Sequence, residues 1–279
     1  FGPIKDGLWK GIKRYDLYKE GMLPYEWQPK LQKVATDLGL DFFSTPFDLV
    51  GVDFLETMNM PIYKIASFEI NDIPLIRYVA KKHKPMIIST GVADLDDIQL
   101  ALDTCYKEGN YDISLLKCTS EYPATYEQAN LLTIPDMIHR FGIPVGVSDH
   151  TMGSLVPIVA VSLGATIVEK HFILSRTNGG PDSAFSMEPN EFREMVDSIR
   201  NVERALGNVK YDITDYQRGK RRSLYARTDI HCGDVFTDQN VGSYRPGVGL
   251  SPQYWDQIMG KTCKREIVKG DVLRQEDLK

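Results

Sequence analysis

Short apolar runs alternate with longer amphipathic segments along the first 206 residues of the chain. The runs predict strands near residues 40–44, 63–66, 85–89, 113–117, 144–148 and 166–170. The segments between and after them predict helices at residues 24–38, 49–58, 72–82, 94–108, 131–141, 155–163 and 188–206. The first 23 residues are expected to be irregular. Strict alternation of strand and helix is typical of βα units with a parallel sheet.

The fold predicted from this pattern is an α/β fold, a (β/α)8 TIM barrel from which the first two strands are missing. A closed barrel has eight strands, and the pattern provides six. The alternative is an open doubly wound sheet. No glycine-rich turn of the dinucleotide-binding type follows any predicted strand, which weakens that alternative.

The pattern changes after Leu206. Residues 207–222 are polar and are expected to link a barrel domain, residues 1–206, to a second domain, residues 223–279. Short apolar runs separated by Gly-Asp turns at 233–234 and 270–271 indicate that this second domain is a compact β-rich module.

Composition limits the possible classes of function. The net charge is −5 and the pI is about 5.6, so no broad basic surface for nucleic acid is expected. No apolar run approaches the length of a membrane span. The four cysteines are widely spaced and include no CxxC pair, which fits reduced thiols and a cytoplasmic protein.

The strongest signal for a site lies in residues 144–172, which predict a strand, a helix and a second strand. The triplets SDH at 148–150 and EKH at 169–171 follow the two strands. Ligands bind at the carboxyl edge of parallel strands in α/β folds. Two imidazoles and two carboxylates at that edge are sufficient to hold a divalent metal. Either His150 or His171 alone fits a structural role better, but the matched positions of the pair favour a metal site.

Polar side chains also follow the other predicted strands: Ser44, Thr45, Lys64, Ser67, Glu69, Ser89, Thr90, Lys117, Thr119, Ser120 and Tyr122. Hydroxyl and ammonium groups donate hydrogen bonds to phosphate and carboxylate oxygens. A single serine or threonine usually caps a turn or a helix. Because six strands all end in this way, we expect a site for a small, highly anionic substrate beside the metal. A further polar cluster, residues 176–186, follows the last strand.

These residues give the chain a specific resemblance. It resembles the sialic-acid synthase family, which condenses phosphoenolpyruvate with an N-acetylated amino sugar. The motifs are YKIASFEINDIPLI, MIISTGVADLDDI, LLKCTSEYPATYEQANL, PVGVSDHTMG, GATIVEKHFILSR and GGPDSAFSMEP. The stretch YRPGVGLSP resembles the family's antifreeze-like (SAF) domain. SFEINDIPLI, GGPDSAFSMEP and LYKEGMLPYEW are most similar to the pseudaminic acid synthase branch.

The resemblance implies roles for individual residues. It makes His150 and His171 the ligands of a divalent metal, with manganese expected and magnesium or cobalt as alternatives. The residues implied to hold the phosphoenolpyruvate carboxylate and phosphate are Lys64, Ser67, Ser89 and Ser148.

Further implied roles concern the sugar and the assembly. Glu69 and Tyr122 are implied to lie near the sugar, and Glu169 and Asp182 to lie in active-site motifs. Arg245 is implied to reach the active site of a partner subunit in a domain-swapped homodimer and to contact the N-acyl group. The family's first two strands, which carry an acidic motif followed by Asn-His and then a lysine, have no counterpart in this sequence. We therefore expect the site to be incomplete without them.

The reaction expected from the resemblance needs no covalent enzyme intermediate. The metal polarises the sugar aldehyde, C3 of phosphoenolpyruvate attacks it, water adds at C2, and phosphate leaves by C–O cleavage. Glu169 or Asp182 positions or deprotonates the water. Lys64 binds phosphate; a Schiff base at this lysine is the alternative. Rival functions are an N-acetylneuraminate or legionaminic acid synthase, a metal-dependent aldolase that releases no phosphate, and a non-catalytic sugar-binding barrel.

Overall fold

The computed structural model describes residues 2–7 and 9–278. The chain divides into two compact units, Phe1–Gly207 and Asn208–Lys279. The limits of the linker expected at 207–222 stay a prediction; within that range, Asp215–Gly219 is helical.

A five-stranded parallel sheet forms the centre of the first unit. Its strands are β1 (Tyr63–Ile65), β2 (Met86–Ser89), β3 (Ile113–Cys118), β4 (Val145–Asp149) and β5 (Val168–Lys170). They are hydrogen-bonded to one another in chain order, from β1 to β5. A doubly wound sheet reverses its strand order at a switch point, and these five strands have no such reversal. The order is that of a barrel wall, so the predicted barrel-type α/β fold is confirmed.

Within residues 2–7 and 9–278, the first unit also contains eight helices: α1 (Arg14–Gly21), α2 (Gln28–Asp37), α3 (Leu49–Thr57), α4 (Ile73–Ala80), α5 (Leu95–Lys107), α6 (Thr133–Phe141), α7 (Leu155–Ser162) and α8 (Pro189–Leu206). Short 3-10 turns lie at Tyr25–Trp27, Ser67–Glu69, Arg176–Asn178 and Ser183–Phe185. The expectation that residues 1–23 are irregular is wrong for α1. That helix buries only Leu17, so its sequence carries little of the apolar periodicity by which a helix is recognised.

The strand predicted at residues 40–44 is also wrong, because these residues have no regular secondary structure. Leu40 is 61% exposed and Phe43 is 37% exposed. An apolar run forms a strand only where a neighbouring strand completes its hydrogen-bond ladder. Among residues 2–7 and 9–278, no strand pairs with this segment.

The interior strands are apolar because helices cover the sheet. Ile88, Leu115 and Val145, one from each of β2, β3 and β4, are fully buried, as expected for parallel strands. Gly146 in β4 is required by close packing, since a Cβ there would lie 2.5 Å from the carbonyl oxygen of Ile167. The absence of a side chain at this position therefore lets the chain before β5 lie close against β4.

The second unit is β-rich, as the sequence predicts. It contains α9 (Asp215–Gly219), β6 (Ser223–Ala226), β7 (Val241–Tyr244) and α10 (Trp255–Ile258), with 3-10 turns at Pro252–Tyr254 and Gln275–Asp277. Strands β6 and β7 are antiparallel. Isolated bridges such as Ile230 with Ile267 extend the β structure, and its core includes Leu224, Phe236 and Leu273, all fully buried. Over the described part of the chain, no helix has the length and apolar character needed to cross a membrane.

Candidate active site

The carboxyl edge of the five-stranded sheet borders a cavity of about 390 Å³. The residues that line it are Thr45, Phe47, Lys64, Ala66, Ser67, Phe68, Ser89, Cys118, Tyr122, Ser148, His150, Glu169, Lys170 and His171. Polar residues from the ends of all five strands therefore meet at one place, as the alternating pattern predicts. A smaller cavity of about 210 Å³, between α7 and α8, has mainly apolar walls and lacks such a concentration of polar groups.

Three connected polar contacts form the floor of the larger cavity. Lys64 is buried, and its Nζ donates to Ser89 Oγ at 2.8 Å. The same Nζ lies 3.4 Å from Glu169 Oε2. The other Glu169 oxygen, Oε1, accepts from Ser148 Oγ at 2.6 Å. The Glu169 side chain remains 42% exposed, whereas the residues that carry the ammonium and the two hydroxyls are buried and line the cavity.

Cys118 at the end of β3 lies among these groups and was not anticipated from the sequence. Burial acts to raise the pKa of its thiol, but hydrogen bonds with His150, Ser67 and Ser148 outweigh burial and lower the pKa to about 7. Ser67 also accepts from the backbone N–H of Gly91 at 3.1 Å. The only signal in the sequence was the position of Cys118 directly before the polar residues 119–120.

The two histidines lie side by side, with ring centroids 5.1 Å apart. His150 Nδ1 lies 2.8 Å from the Thr119 carbonyl oxygen and therefore donates to it, which makes Nε2 the ring nitrogen with a lone pair. His171 Nδ1 is 3.5 Å from Asp182 Oδ2. Burial lowers the pKa of His171, although Asp182 partly opposes this. For His150 burial acts in the same direction, but hydrogen bonds with Cys118 and Thr119 outweigh it and raise the pKa.

This donor set fits a divalent metal in part. Two imidazoles that share one ion have ring centroids roughly 4.5–5.5 Å apart when each metal–nitrogen bond is about 2.1 Å. A second nitrogen hydrogen-bonded to a carbonyl or a carboxylate is also typical of metal-binding histidines. However, no three histidine, cysteine, aspartate or glutamate side chains within residues 2–7 and 9–278 converge as a complete ligand set. The protein thus supplies two imidazoles, and other donors are needed to complete the coordination.

Aromatic rings border the histidines. The Tyr122 ring lies 4.4 Å from His150, and the Phe185 ring lies 4.9 Å from His171. Burial raises the pKa of Tyr122 to about 12, so its phenol remains protonated and available as a donor. Trp9 packs against Tyr122 with centroids 5.5 Å apart. Sequence reasoning missed Phe185 and Trp9, because aromatic residues give no signal of their own outside a periodic pattern.

Three other predicted site residues, Glu69, Thr90 and Asp182, are not among those that line the cavity. Glu69 follows Phe68, which lines the cavity, but Glu69 itself does not line it. Its Oε2 is buried without a hydrogen-bond partner, and burial raises its pKa. Asp182 reaches the site through His171. Thr90 has a structural contact, since its Oγ1 donates to the Leu116 carbonyl at 3.0 Å.

Two lysines that the sequence offered as ligands for an anion have other partners. Lys117 Nζ donates to Thr119 Oγ1 at 2.7 Å, and burial lowers its pKa. Lys170 Nζ lies 2.6 Å from Asp149 Oδ2, and its side chain is only 1% exposed. Of the three lysines at strand ends, Lys64 is therefore the one whose ammonium belongs to the floor of the cavity.

Arg245 lies in the second unit, on an exposed turn. The Pro246 carbonyl in this turn accepts from the Tyr225 hydroxyl at 2.8 Å. The Gly247 N–H donates to the Gly219 carbonyl at 2.9 Å. The turn is thus fixed on its own unit while the Arg245 side chain remains exposed.

Parallel strands in barrel order, with a lysine, hydroxyls and two imidazoles at their carboxyl edge, define a barrel-type site for an anionic ligand. A model of the NeuB family matches residues 4–211, and a model of the SAF domain matches residues 221–279. The chain belongs to the NeuB family and carries a SAF domain.

Three similar proteins make the relationship more specific. The pseudaminic acid synthase of Campylobacter jejuni is 41% identical over 279 residues, which cover 99% of this chain and 81% of that protein. The pseudaminic acid synthase of Helicobacter pylori is also 41% identical, with 99% and 82% covered. The crystal structure of N-acetylneuraminic acid synthetase from Leptospira borgpetersenii, in complex with citrate, has a TM-score of 0.69 and 31% identity, covering 73% of this chain and 71% of that chain.

Proposed function

We propose that the protein is a pseudaminic acid synthase. It condenses phosphoenolpyruvate with a 2,4-diacetamido-trideoxy hexose and water to give pseudaminic acid and inorganic phosphate. The two relatives that are 41% identical to the chain over the aligned residues support this choice of product. The alternatives within the same chemistry are N-acetylneuraminate and legionaminic acid.

The single observation that carries the proposal is the buried floor formed by Lys64, Ser89 and Ser148 beside Glu169. Phosphoenolpyruvate is small and carries both a carboxylate and a phosphate, so it needs several donors and at least one fixed positive charge. Lys64 supplies the charge, and the hydroxyls of Ser67, Ser89 and Ser148 supply donors. A neutral sugar alone would not require a buried ammonium at this position.

His150 and His171 are the residues proposed to hold the divalent metal, and manganese is the metal proposed. When bound, the metal acts as a Lewis acid toward a carbonyl oxygen. The two imidazoles present nitrogen ligands beside the cavity, while the Thr119 carbonyl and Asp182 fix their orientation. The burial that lowers the pKa of His171 keeps this ring neutral, which is the state required of a ligand.

The chain's own residues account for the remaining requirements of the reaction. A bond forms between C3 of phosphoenolpyruvate and the aldehyde carbon, water adds at C2, and the C–O bond to phosphate breaks. Glu169, oriented by Ser148, accepts the proton of that water. Lys64 neutralises charge on the departing phosphate. Tyr122, kept protonated by burial, donates a hydrogen bond to the sugar, and Glu69, whose pKa is raised by burial, lies near it.

Substrate screening tests the function. Phosphate release is measured with phosphoenolpyruvate, manganese and a panel of 2,4-diacetamido and 2-acetamido sugars. The proposal predicts one phosphate per sugar consumed, with the 2,4-diacetamido-trideoxy substrate turned over fastest. Faster turnover of a 2-acetamido sugar would make the protein an N-acetylneuraminate synthase. Carbon–carbon bond formation without phosphate release would indicate the aldolase, and sugar binding without any turnover would indicate the non-catalytic barrel.

We also propose that the protein acts as a domain-swapped homodimer in which Arg245 serves the partner's cavity. The turn that carries Arg245 is anchored at Pro246 and Gly247, so the exposed guanidinium projects from a fixed backbone. Its planar donors suit a carbonyl oxygen such as that of an N-acetyl group. The cytoplasmic location stays a prediction.

A further inference from the structure

A buried ion pair lies directly behind the two histidines. Asp149 ends β4 and Lys170 ends β5, and these two residues are cross-strand partners in the parallel register. Lys170 Nζ lies 2.6 Å from Asp149 Oδ2, and the two side chains are 1% and 2% exposed. The preceding residues, Ser148 and Glu169, contact each other at the cavity floor. Because side chains alternate between the faces of a sheet, we take the side chains of the ion pair to point away from those of Ser148 and Glu169, although Lys170 also borders the cavity.

Thr151 closes this pair into a network. The Thr151 backbone N–H donates to Asp149 Oδ1 at 2.9 Å, and its hydroxyl donates to Oδ2 at 3.1 Å. Lys170 Nζ also donates to the Thr151 carbonyl. The network therefore holds residues 149 and 151, on either side of His150, and joins them to the residue directly before His171.

Stability alone does not account for a pair of this kind. Removing two charges from water is costly, and well-packed apolar residues of similar volume often replace a buried ion pair without loss of stability. Apolar contacts have no preferred direction. They therefore restrict sliding and rotation of the strand ends less than the hydrogen-bonded ion pair does. The fixed geometry of Asp149 with Lys170 specifies one register and one orientation, which is the requirement of two rings that share a ligand.

We propose that Asp149, Lys170 and Thr151 form a cross-strand clamp that fixes the separation and orientation of His150 and His171. The three are positioning residues, because their polar groups are hydrogen-bonded to one another. Gly146 lets β4 and the chain before β5 approach closely, and the clamp sets their relative position at the carboxyl edge. The inference rests on the proposed function only through the metal site.

The test uses the double variant Asp149→Asn/Lys170→Met, which removes both charges and keeps an oxygen acceptor for Thr151. Its matched control is Lys33→Met/Asp37→Asn, which removes an exposed ion pair on α2 with a similarly short contact of 2.7 Å. A second variant, Thr151→Val, keeps the ion pair and removes one hydroxyl contact. Each protein is checked for folding by thermal unfolding. Manganese affinity is measured by calorimetry without substrate, and the ring resonances of the five histidines are recorded by NMR without metal.

We expect the double variant to fold, to bind manganese about 10- to 100-fold more weakly, and to show shifted resonances for His150 and His171 but not for the other histidines. Thr151→Val shows the same changes to a smaller extent, and the control shows none. A folded double variant with an unchanged dissociation constant and unchanged ring resonances overturns the clamp. If the double variant does not fold, an unchanged manganese dissociation constant together with unchanged ring resonances in Thr151→Val overturns the clamp.

The two readouts separate this inference from the proposed function. If the wild-type protein binds no manganese, the metal assignment fails. The clamp is then tested by the ring resonances of His150 and His171 in the metal-free variants: shifted resonances support it, and unchanged resonances overturn it.

Discussion

Replacing Lys64 with methionine removes a buried ammonium from the cavity floor. In the native structure this group donates to Ser89 and lies 3.4 Å from Glu169. Methionine has a similar length and is apolar, so the substitution deletes the charge while filling most of the volume. If Lys64 binds the carboxylate or phosphate of phosphoenolpyruvate, the loss falls on that substrate rather than on the sugar.

The expected magnitude follows from burial. A hydrogen bond to a charged group contributes about 1.5–3 kcal/mol, which corresponds to roughly a 10- to 150-fold fall in kcat/KM for phosphoenolpyruvate. The effect on folding is smaller, because the Glu169 side chain left behind is 42% exposed and remains hydrated. We expect a destabilisation of about 1 kcal/mol, well below that of a fully buried pair that loses one partner.

The assay is initial-rate phosphate release at varied phosphoenolpyruvate, with thermal unfolding measured in parallel. Lys33→Met is the control, since Lys33 forms an exposed ion pair on α2 and its loss is expected to change neither quantity. Lys64→Arg separates the two roles considered for this lysine: it retains the charge needed for anion binding but does not form a Schiff base. Lys64→Met with kcat/KM within threefold of wild type, or an adduct at Lys64 trapped by borohydride, would refute the reasoning.

Three further predictions concern the histidines, a buried carboxyl and the assembly. His150→Ala and His171→Ala each abolish manganese-dependent turnover, because one protein imidazole is too few; full manganese-stimulated activity in either variant contradicts the metal site. Burial raises the pKa of Glu69 above its ordinary value of 4.5, so its favourable contribution to stability is present below pH 4.5 and is lost as pH rises through the folded-state pKa. The free energy of unfolding, measured by denaturant titration, therefore falls less in Glu69→Gln than in wild type as the pH rises through this range. Parallel plots of that free energy against pH for the two proteins would refute the raised pKa. Mixing inactive His150→Ala and Arg245→Ala subunits restores part of the activity if Arg245 acts in trans; no recovery after confirmed subunit exchange means that it does not.

Most of the parallel sheet was predictable because buried strands leave a local pattern. The apolar runs of β2, β3 and β4 are continuous and end at polar residues, and the structure places these strands within one or two residues of their predicted limits. The run at 40–44 is also rich in apolar residues, but it has no partner strand among the described residues. Strand formation depends on a neighbour as well as on composition, so the sequence pattern alone overestimated the number of strands.

The sequence could predict which site residues lie close together where they follow strands that are neighbours in both the chain and the sheet. His150 and His171 follow adjacent parallel strands, and their rings are in fact 5.1 Å apart. What could not be predicted is which polar groups are already occupied by internal partners. Lys64 and Lys170 look alike in sequence, yet Lys64 donates to Ser89 on the cavity floor and Lys170 is held by Asp149. That distinction depends on which side of a strand a residue faces and on tertiary partners.

Phosphoenolpyruvate labelled with ¹⁸O in its C2–O bridge tests the central claim most directly. The protein is incubated with this substrate, manganese and the 2,4-diacetamido-trideoxy hexose, and the phosphate released is examined by ³¹P NMR. Condensation with water addition at C2 and C–O cleavage predicts that the phosphate carries the label and that a nonulosonic acid of matching mass accumulates in equal amount. Unlabelled phosphate, or a new carbon–carbon bond formed without phosphate release, would contradict the account.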